Sequence, residues 1–383
     1  MKNTTPCESF DVICFSHLRW NFVFQRPQHL MTRCARERRV YYVEEPIVDA
    51  DKRSYLELQR HSGVTVAVPH LDRASREDDH VRLLRSLLLE LIAKERIHRY
   101  VHWYYTPMAL AFTSHLKPQT VVYDCMDELS AFAHAPATLR LREAELLRRA
   151  SVVFTGGQSL YEAKRGRHPN VHAFPSSVDV PHFARARQIG VDPPDQAGIP
   201  RPRLGFFGVI DERMDIELLA GVAAARPEWS IVLVGPVVKI DPAQLPRAAN
   251  IHYLGQKSYD QLPDYIAGWD VAMLPFARND ATRFISPTKT PEYMAAGKPV
   301  VSTSIRDVIR PYGQQGLVRI ADTVGDFVVA CEAALADEPI ARMRDADAFL
   351  RQTSWDGTWT RMRRLIEAAL GGAAASSDAA AAG

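Results

Sequence analysis

Nowhere does the 383-residue chain hold an apolar run near the roughly 20 residues that a bilayer crossing requires, so no membrane span is expected. Its opening, MKNTTPCESFDVICF, lacks the long apolar stretch of a secretory leader, which points to a cytosolic protein. Cysteine is scarce and scattered: Cys7, Cys14, Cys34, Cys125 and Cys331 show no paired spacing. That argues against a disulfide framework or a zinc site and fits reduced core thiols. Net charge is also lacking, at a formal +2, so no overall field selects nucleic acid as a partner, and any anion site must be built locally. No GxGxxG follows the first apolar run, which disfavours a dinucleotide-dependent dehydrogenase. No repeat of about 20 to 50 residues marks a solenoid.

What is present is an ordinary globular composition, 46% apolar and 24% charged, in a chain too long for one comfortable core. Short apolar runs alternate with amphipathic segments: FDVICFS (10–16), RVYYVEE (39–45), VTVAVP (64–69), RYVHWYY (99–105), TVVYDC (120–125) and SVVFTGG (151–157). This is the βαβ rhythm of a parallel sheet. The stretch 184–203 is rich in Pro, Gly and charge and reads as a linker. The rhythm then restarts with RLGFFGVI (203–210), WSIVLVGP (229–236), NIHYLG (250–255), VAMLPF (271–276) and KPVVST (298–303). The expectation is α/β, with two Rossmann-like doubly wound domains, 1–183 and 204–354, facing a cleft. A helix over 355–370 would pack back on the first domain, and a low-complexity tail, 371–383, is expected to be disordered. Ligands of such sheets bind beyond the carboxyl ends of the strands.

The most informative stretch is FISPTKTPEYMAAGKPVVST (284–303). Ser286-Pro287 and Thr290-Pro291 each pair a capping residue with a proline suited to a helix start. A helix opening at either would offer free N–H groups to a diphosphate, Lys289 would add a full charge, and Glu292 would accept from ribose hydroxyls. An ordinary buried helix with Lys289 and Glu292 at its surface accounts for the same residues equally well.

Residues 290–301 resemble the glutamate-bearing helix and AxGxPVV of the GT-B glycosyltransferases. GFFGVIDERMDIELL (205–219) resembles their first C-domain strand, loop and helix, and 250–276 resembles their base-binding loop, helix and next strand. FPSSVDVPHF (174–183) resembles the segment that closes their first domain. SHLRWNFVFQRPQHL (16–30) with YYVEEP (41–46) is similar to transferases of bacterial surface-polysaccharide and teichuronic-acid assembly. The resemblance implies transfer of a sugar from a nucleotide-diphosphate donor, expected to be a UDP-sugar, to a saccharide or lipid-linked saccharide. On that basis Glu292 would bind ribose, and Gly208 would let the first loop approach the diphosphate, which Arg213 would contact. Ser286, Thr288 and Lys289 would form the phosphate-facing turn, and Gln256 and Tyr265 would hold the base.

Two departures stand out. The retaining members' second glutamate, eight positions before the ribose-binding one, is replaced by Phe284, and their histidine before the aspartate after the fourth strand is replaced by Met126. VVYDCMDELS (121–130) instead resembles the catalytic strand end of the inverting glucuronosyltransferase of xanthan assembly, which makes Asp127 the expected general base, with Asp124 second. His17, directly after the first strand, is the rival base. Arg19, Trp20, Arg26 and Gln28 of the first loop are expected to meet the acceptor. No DxD pair ends a strand in the metal-binding manner of the GT-A enzymes, so neither metal nor cofactor is expected; Arg213, Lys289 and helix N–H groups would balance the leaving charge. A nucleotide-sugar 2-epimerase and a binding protein without catalysis are the competing readings. A lipid-linked acceptor would bring peripheral membrane contact through segments such as 139–149, which is equally an amphipathic surface helix.

Overall fold

The computed structural model describes residues 10–132 and 135–381, with side chains through 371; Cys7 lies outside them. Two parallel sheets form the frame. The first contains β1 (Asp11–Phe15), β2 (Val40–Val43), β3 (Ile47–Ala50), β4 (Tyr55–His61), β5 (Val64–Asp72), β6 (Tyr100–Tyr104), β7 (Thr120–Cys125), β8 (Val152–Thr155) and β9 (Val171–Ala173), in the order β3-β5-β2-β1-β6-β7-β8-β9. β4 pairs antiparallel with β5, and every other pair in this sheet is parallel. The second contains β10 (Arg203–Phe207), β11 (Ser230–Val234), β12 (Ile251–Gly255), β13 (Val271–Leu274), β14 (Val300–Ser302) and β15 (Arg319–Ile320), in the order β12-β11-β10-β13-β14-β15.

Both sheets are buried on two faces, which is why their strands read as continuous apolar runs. Along β1, Val12 and Cys14 enter one core while Ile13 and Phe15 enter the other, the period of two expected of a strand. In β10, Gly205 is needed because the Trp269 ring occupies the space a Cβ would take. Strand order reverses between β1 and β6 and between β10 and β13, and these switch points set where ligands can enter.

The chain leaves the first domain earlier than the polar stretch 184–203 suggests. Val178, Phe183, Ala186 and Ile199 belong to the second core. The stretch itself is folded onto that domain: Arg187 pairs with Asp347 at 2.6 Å, and Arg203 with Asp192 at 2.7 Å. Proline and charge here reflect ion pairs and short turns, not a free tether.

After the second domain, the helix Trp355–Ala381 returns to the first sheet, where Trp355, Trp359, Met362 and Ile366 join its core. Each large apolar side chain so buried contributes about 1.5–3 kcal/mol. The backbone stays helical beyond Gly371, where low complexity suggests a disordered tail; alanine has the highest helix propensity. Residues 382–383 lie outside the described residues.

Candidate functional site

The second domain brings its part of the site to the β10/β13 switch point. Gly208, just after β10, has φ +132°, and Gly235, just after β11, has φ +154°. A Cβ at Gly235 would overlap the Gly208 carbonyl oxygen, and one at Gly208 would sit 2.7 Å from Lys289 Nζ. Two glycines therefore let a lysine ammonium lie against the loop backbone. Lys289 begins the helix Lys289–Ala295, so neither Ser286 nor Thr290 opens it; Thr288 holds the N-cap position. Pro291 is tolerated in the first turn, where backbone N–H groups have no intrahelical partner.

One turn on, Glu292 is 6% exposed and its Oε2 has no hydrogen-bond partner. Burial pushes this carboxyl up, opposed by the Lys289 charge and by a hydrogen bond from Thr288; burial likewise pushes Lys289 down, opposed by Glu292. A buried unsatisfied polar atom costs about 1–3 kcal/mol, which suits a group that awaits a ligand. Both line a cavity of about 670 Å³, with Gly208, Arg213, Gln256, Tyr259 and Thr288 on the same side and Trp20 to Gln25 on the other. Arg213 is held by Asp211, its Nε 2.9 and 3.1 Å and its Nη2 2.6 Å from the carboxylate oxygens. Its guanidinium lies 5.5 Å from the ring centre of Phe132, which belongs to the first domain, and Lys239 reaches the same ring at 5.4 Å.

Asp127 stands two residues past β7 and is not among the residues that line this cavity. Burial pushes its carboxyl up to about 6, and the charges of Arg213, Arg26 and Lys289 pull the other way, so cations of the second domain act on it across the cleft. His17, two residues past β1, has a buried Nδ1 without a partner, and burial together with Lys239 brings it down to about 4. Both candidate bases therefore sit at strand ends facing the second domain. Near neutral pH Asp127 is mostly ionised and His17 neutral.

Several predicted residues are spent inside their own domain. Arg26 (1% exposed) donates to Asp124 (0% exposed) from Nη2 at 2.8 Å and from Nε at 3.1 Å, and to the Phe174 carbonyl at 2.7 Å. This pair knits strand to helix, so Arg26 is not open to an acceptor, nor Asp124 to a substrate proton. Gln28 closes the start of the helix Arg26–Cys34 and donates to the Trp20 and Val23 carbonyls at 2.8 and 3.0 Å. Arg19 is occupied by Glu44 at 2.9 Å and by the Glu45 and Pro46 carbonyls. Trp20 lines the cavity with only 7% of its surface exposed, its ring packed edge-on to Tyr42. Tyr265 donates to Asp195 at 2.7 Å and does not line the cavity; Tyr259 does, stacked between Phe24 and His182 at centroid distances of 4.4 and 4.0 Å. Ser286 faces Gly157 of the first domain rather than the cavity. Sequence reading missed Tyr259, Phe132 and Asp211; only Asp211, two residues before Arg213, left a local signal.

Comparison with known proteins bears on the fold and on the second domain. Residues 201–337 match the family model described as "Glycosyl transferases group 1". By architecture the chain resembles sucrose-phosphate synthase from Thermosynechococcus elongatus, with TM-score 0.70, 15% identity, and coverage of 93% of this chain and 98% of that one. Anabaena HepE, solved in complex with UDP and glucose, gives TM-score 0.64 at 13% identity over 92% of this chain and 98% of that one. The fold is GT-B, and fold and family match together define the class: a glycosyltransferase with a group 1 domain in its second half. Among curated proteins the chain is similar to the "Putative teichuronic acid biosynthesis glycosyltransferase TuaH" of Bacillus subtilis, 26% identical over 283 residues, which are 65% of this chain and 70% of that protein.

Proposed function

We propose that the enzyme transfers a sugar from a UDP-sugar to a saccharide or lipid-linked saccharide in surface-polysaccharide synthesis, with inversion and with Asp127 as general base. The observation that carries this is that Asp127, just past the end of β7, lies within reach of the charges of Arg213 and Lys289 of the second domain. The acceptor oxygen attacks the anomeric carbon, the bond to the diphosphate oxygen breaks, and the acceptor proton passes to Asp127. UDP leaves with its charge met by Arg213 and Lys289 and the ribose held by Glu292, so no metal is called for. The relative's part in teichuronic acid biosynthesis supports the acceptor class, and the UDP bound to HepE supports the base.

The test is UDP release from a panel of UDP-sugars, with and without oligosaccharide and lipid-linked acceptors. Acceptor-dependent release is expected. Turnover that needs no acceptor would replace this reading with a 2-epimerase, and UDP-sugar binding without turnover on any acceptor would leave a binding protein.

A further inference from the structure

A second cavity, of about 430 Å³, opens between the domains one residue from Asp127, beginning at Glu128. Its floor is a neutralised charge cluster. Lys164, 2% exposed, places Nζ 2.6 Å from both Glu128 Oε2 and Glu143 Oε1. Glu143 also accepts from Arg167 at 2.9 Å and from the Tyr123 hydroxyl at 3.0 Å. Burial alone would raise Glu143, yet Lys164 and Arg167 hold it below the ordinary carboxylate range. Both floor carboxylates are therefore already balanced.

The walls are not. Arg140 enters from the first domain and Arg283 from the second, and among the described residues no carboxylate lies within ion-pair distance of either. The Arg283 guanidinium lies 5.2 Å from the centre of the Phe284 ring, and Phe284 itself packs against the first domain's core. Asp280, exposed on the same loop as Arg283, is the one further acid among the described lining residues, which leaves four Lys and Arg cations against three carboxylates among them. Two guanidinium forks from opposite domains, over a buried ammonium and beside an aromatic wall, match a planar or tetrahedral oxyanion carried on a sugar ring. The volume falls in the range of small-ligand sites, about 300–1,000 Å³.

The geometry points to this cavity as the subsite for an anionic group, carboxylate or phosphate, on the acceptor saccharide; this rests on the glycosyl-transfer reading above. An acceptor lodged here through its charge brings a neighbouring hydroxyl toward Asp127. Phe284 then has a use: it joins the two walls that hold the anion.

The experiment uses the full chain with saturating UDP, so that the donor cavity is occupied. Glucuronate, glucose 6-phosphate and glucose are titrated by calorimetry at matched ionic strength. At least one charged sugar is expected to bind tenfold or more tighter than glucose, and which one does so separates carboxylate from phosphate. Arg140→Gln with Arg283→Gln, both at exposed positions, should abolish the preference and leave UDP affinity unchanged, which also shows that the variant is folded. Equal binding of all three sugars, or a preference that survives in the double variant, overturns the subsite. Failure of the wild type to bind UDP overturns the donor reading instead, so the two failures are distinct.

Discussion

The two walls of the main cavity treat polar side chains in opposite ways. On the second-domain wall, Glu292 keeps a buried oxygen without a partner, and Lys289 rests against Gly208 with the carboxylates of Glu292, Asp211 and Asp127 acting on it through space. On the first-domain side, three of the polar residues that follow β1 are consumed: Arg26 by Asp124, Gln28 by carbonyls, Arg19 by Glu44. A polar residue beyond a strand end is thus no site by position alone. What separates ligand wall from frame is whether its hydrogen bonds are already made.

That contrast can be broken by substitution. The largest effect on turnover belongs to Asp127→Asn, expected to lower transfer about 10²–10⁴-fold while UDP binding in calorimetry stays unchanged. Unchanged turnover would return the role to His17. The largest effect on folding belongs to Arg26→Ala: leaving Asp124 buried and unpaired should cost about 3–5 kcal/mol in urea unfolding. A cost near zero would mean that the pair is not framework.

Glu292→Gln should do the reverse of Arg26→Ala. UDP affinity falls by about 1.5–3 kcal/mol, the worth of a hydrogen bond to a charged group, while stability stays level or rises. Loss of stability without loss of affinity would make Glu292 part of the frame.

A smaller effect is the pH profile. A protonated carboxyl cannot take a proton, so kcat/KM should climb roughly tenfold per pH unit below about 6 and flatten above it. A limb that stays in Asp127→Asn belongs to another group. Smallest of all, EDTA should leave transfer unchanged, since Arg213 and Lys289 supply the positive charge; a loss restored by a divalent cation would show that they do not suffice.

The same contrast explains what could be read from sequence. Strands buried on both faces announce themselves as apolar runs, so most of the two sheets was legible, while β3, β4, β9 and β15, which lie at the sheet edges, are largely half-buried and were not. That Lys289 and Glu292 lie together at one helix start beside the cavity was legible too, because residues three positions apart carry a local signal. The frame was not: Arg26 and Asp124 are 98 positions apart, and nothing in either segment reveals the other. Nor did the Ser-Pro and Thr-Pro pairs show that the helix opens at Lys289, since a proline fits anywhere in a first turn. Tyr259 escaped because its place depends on stacking with Phe24 and His182, from three separate segments.

The returning helix Trp355–Ala381 bears on how the chain is made. Trp355, Trp359, Met362 and Ile366 are synthesised after the whole second domain, yet they finish the core of the first. Of the two domains, the one translated earlier is therefore the later to be completed, and the second can close while the first still shows the ribosome and its chaperones an uncovered apolar face.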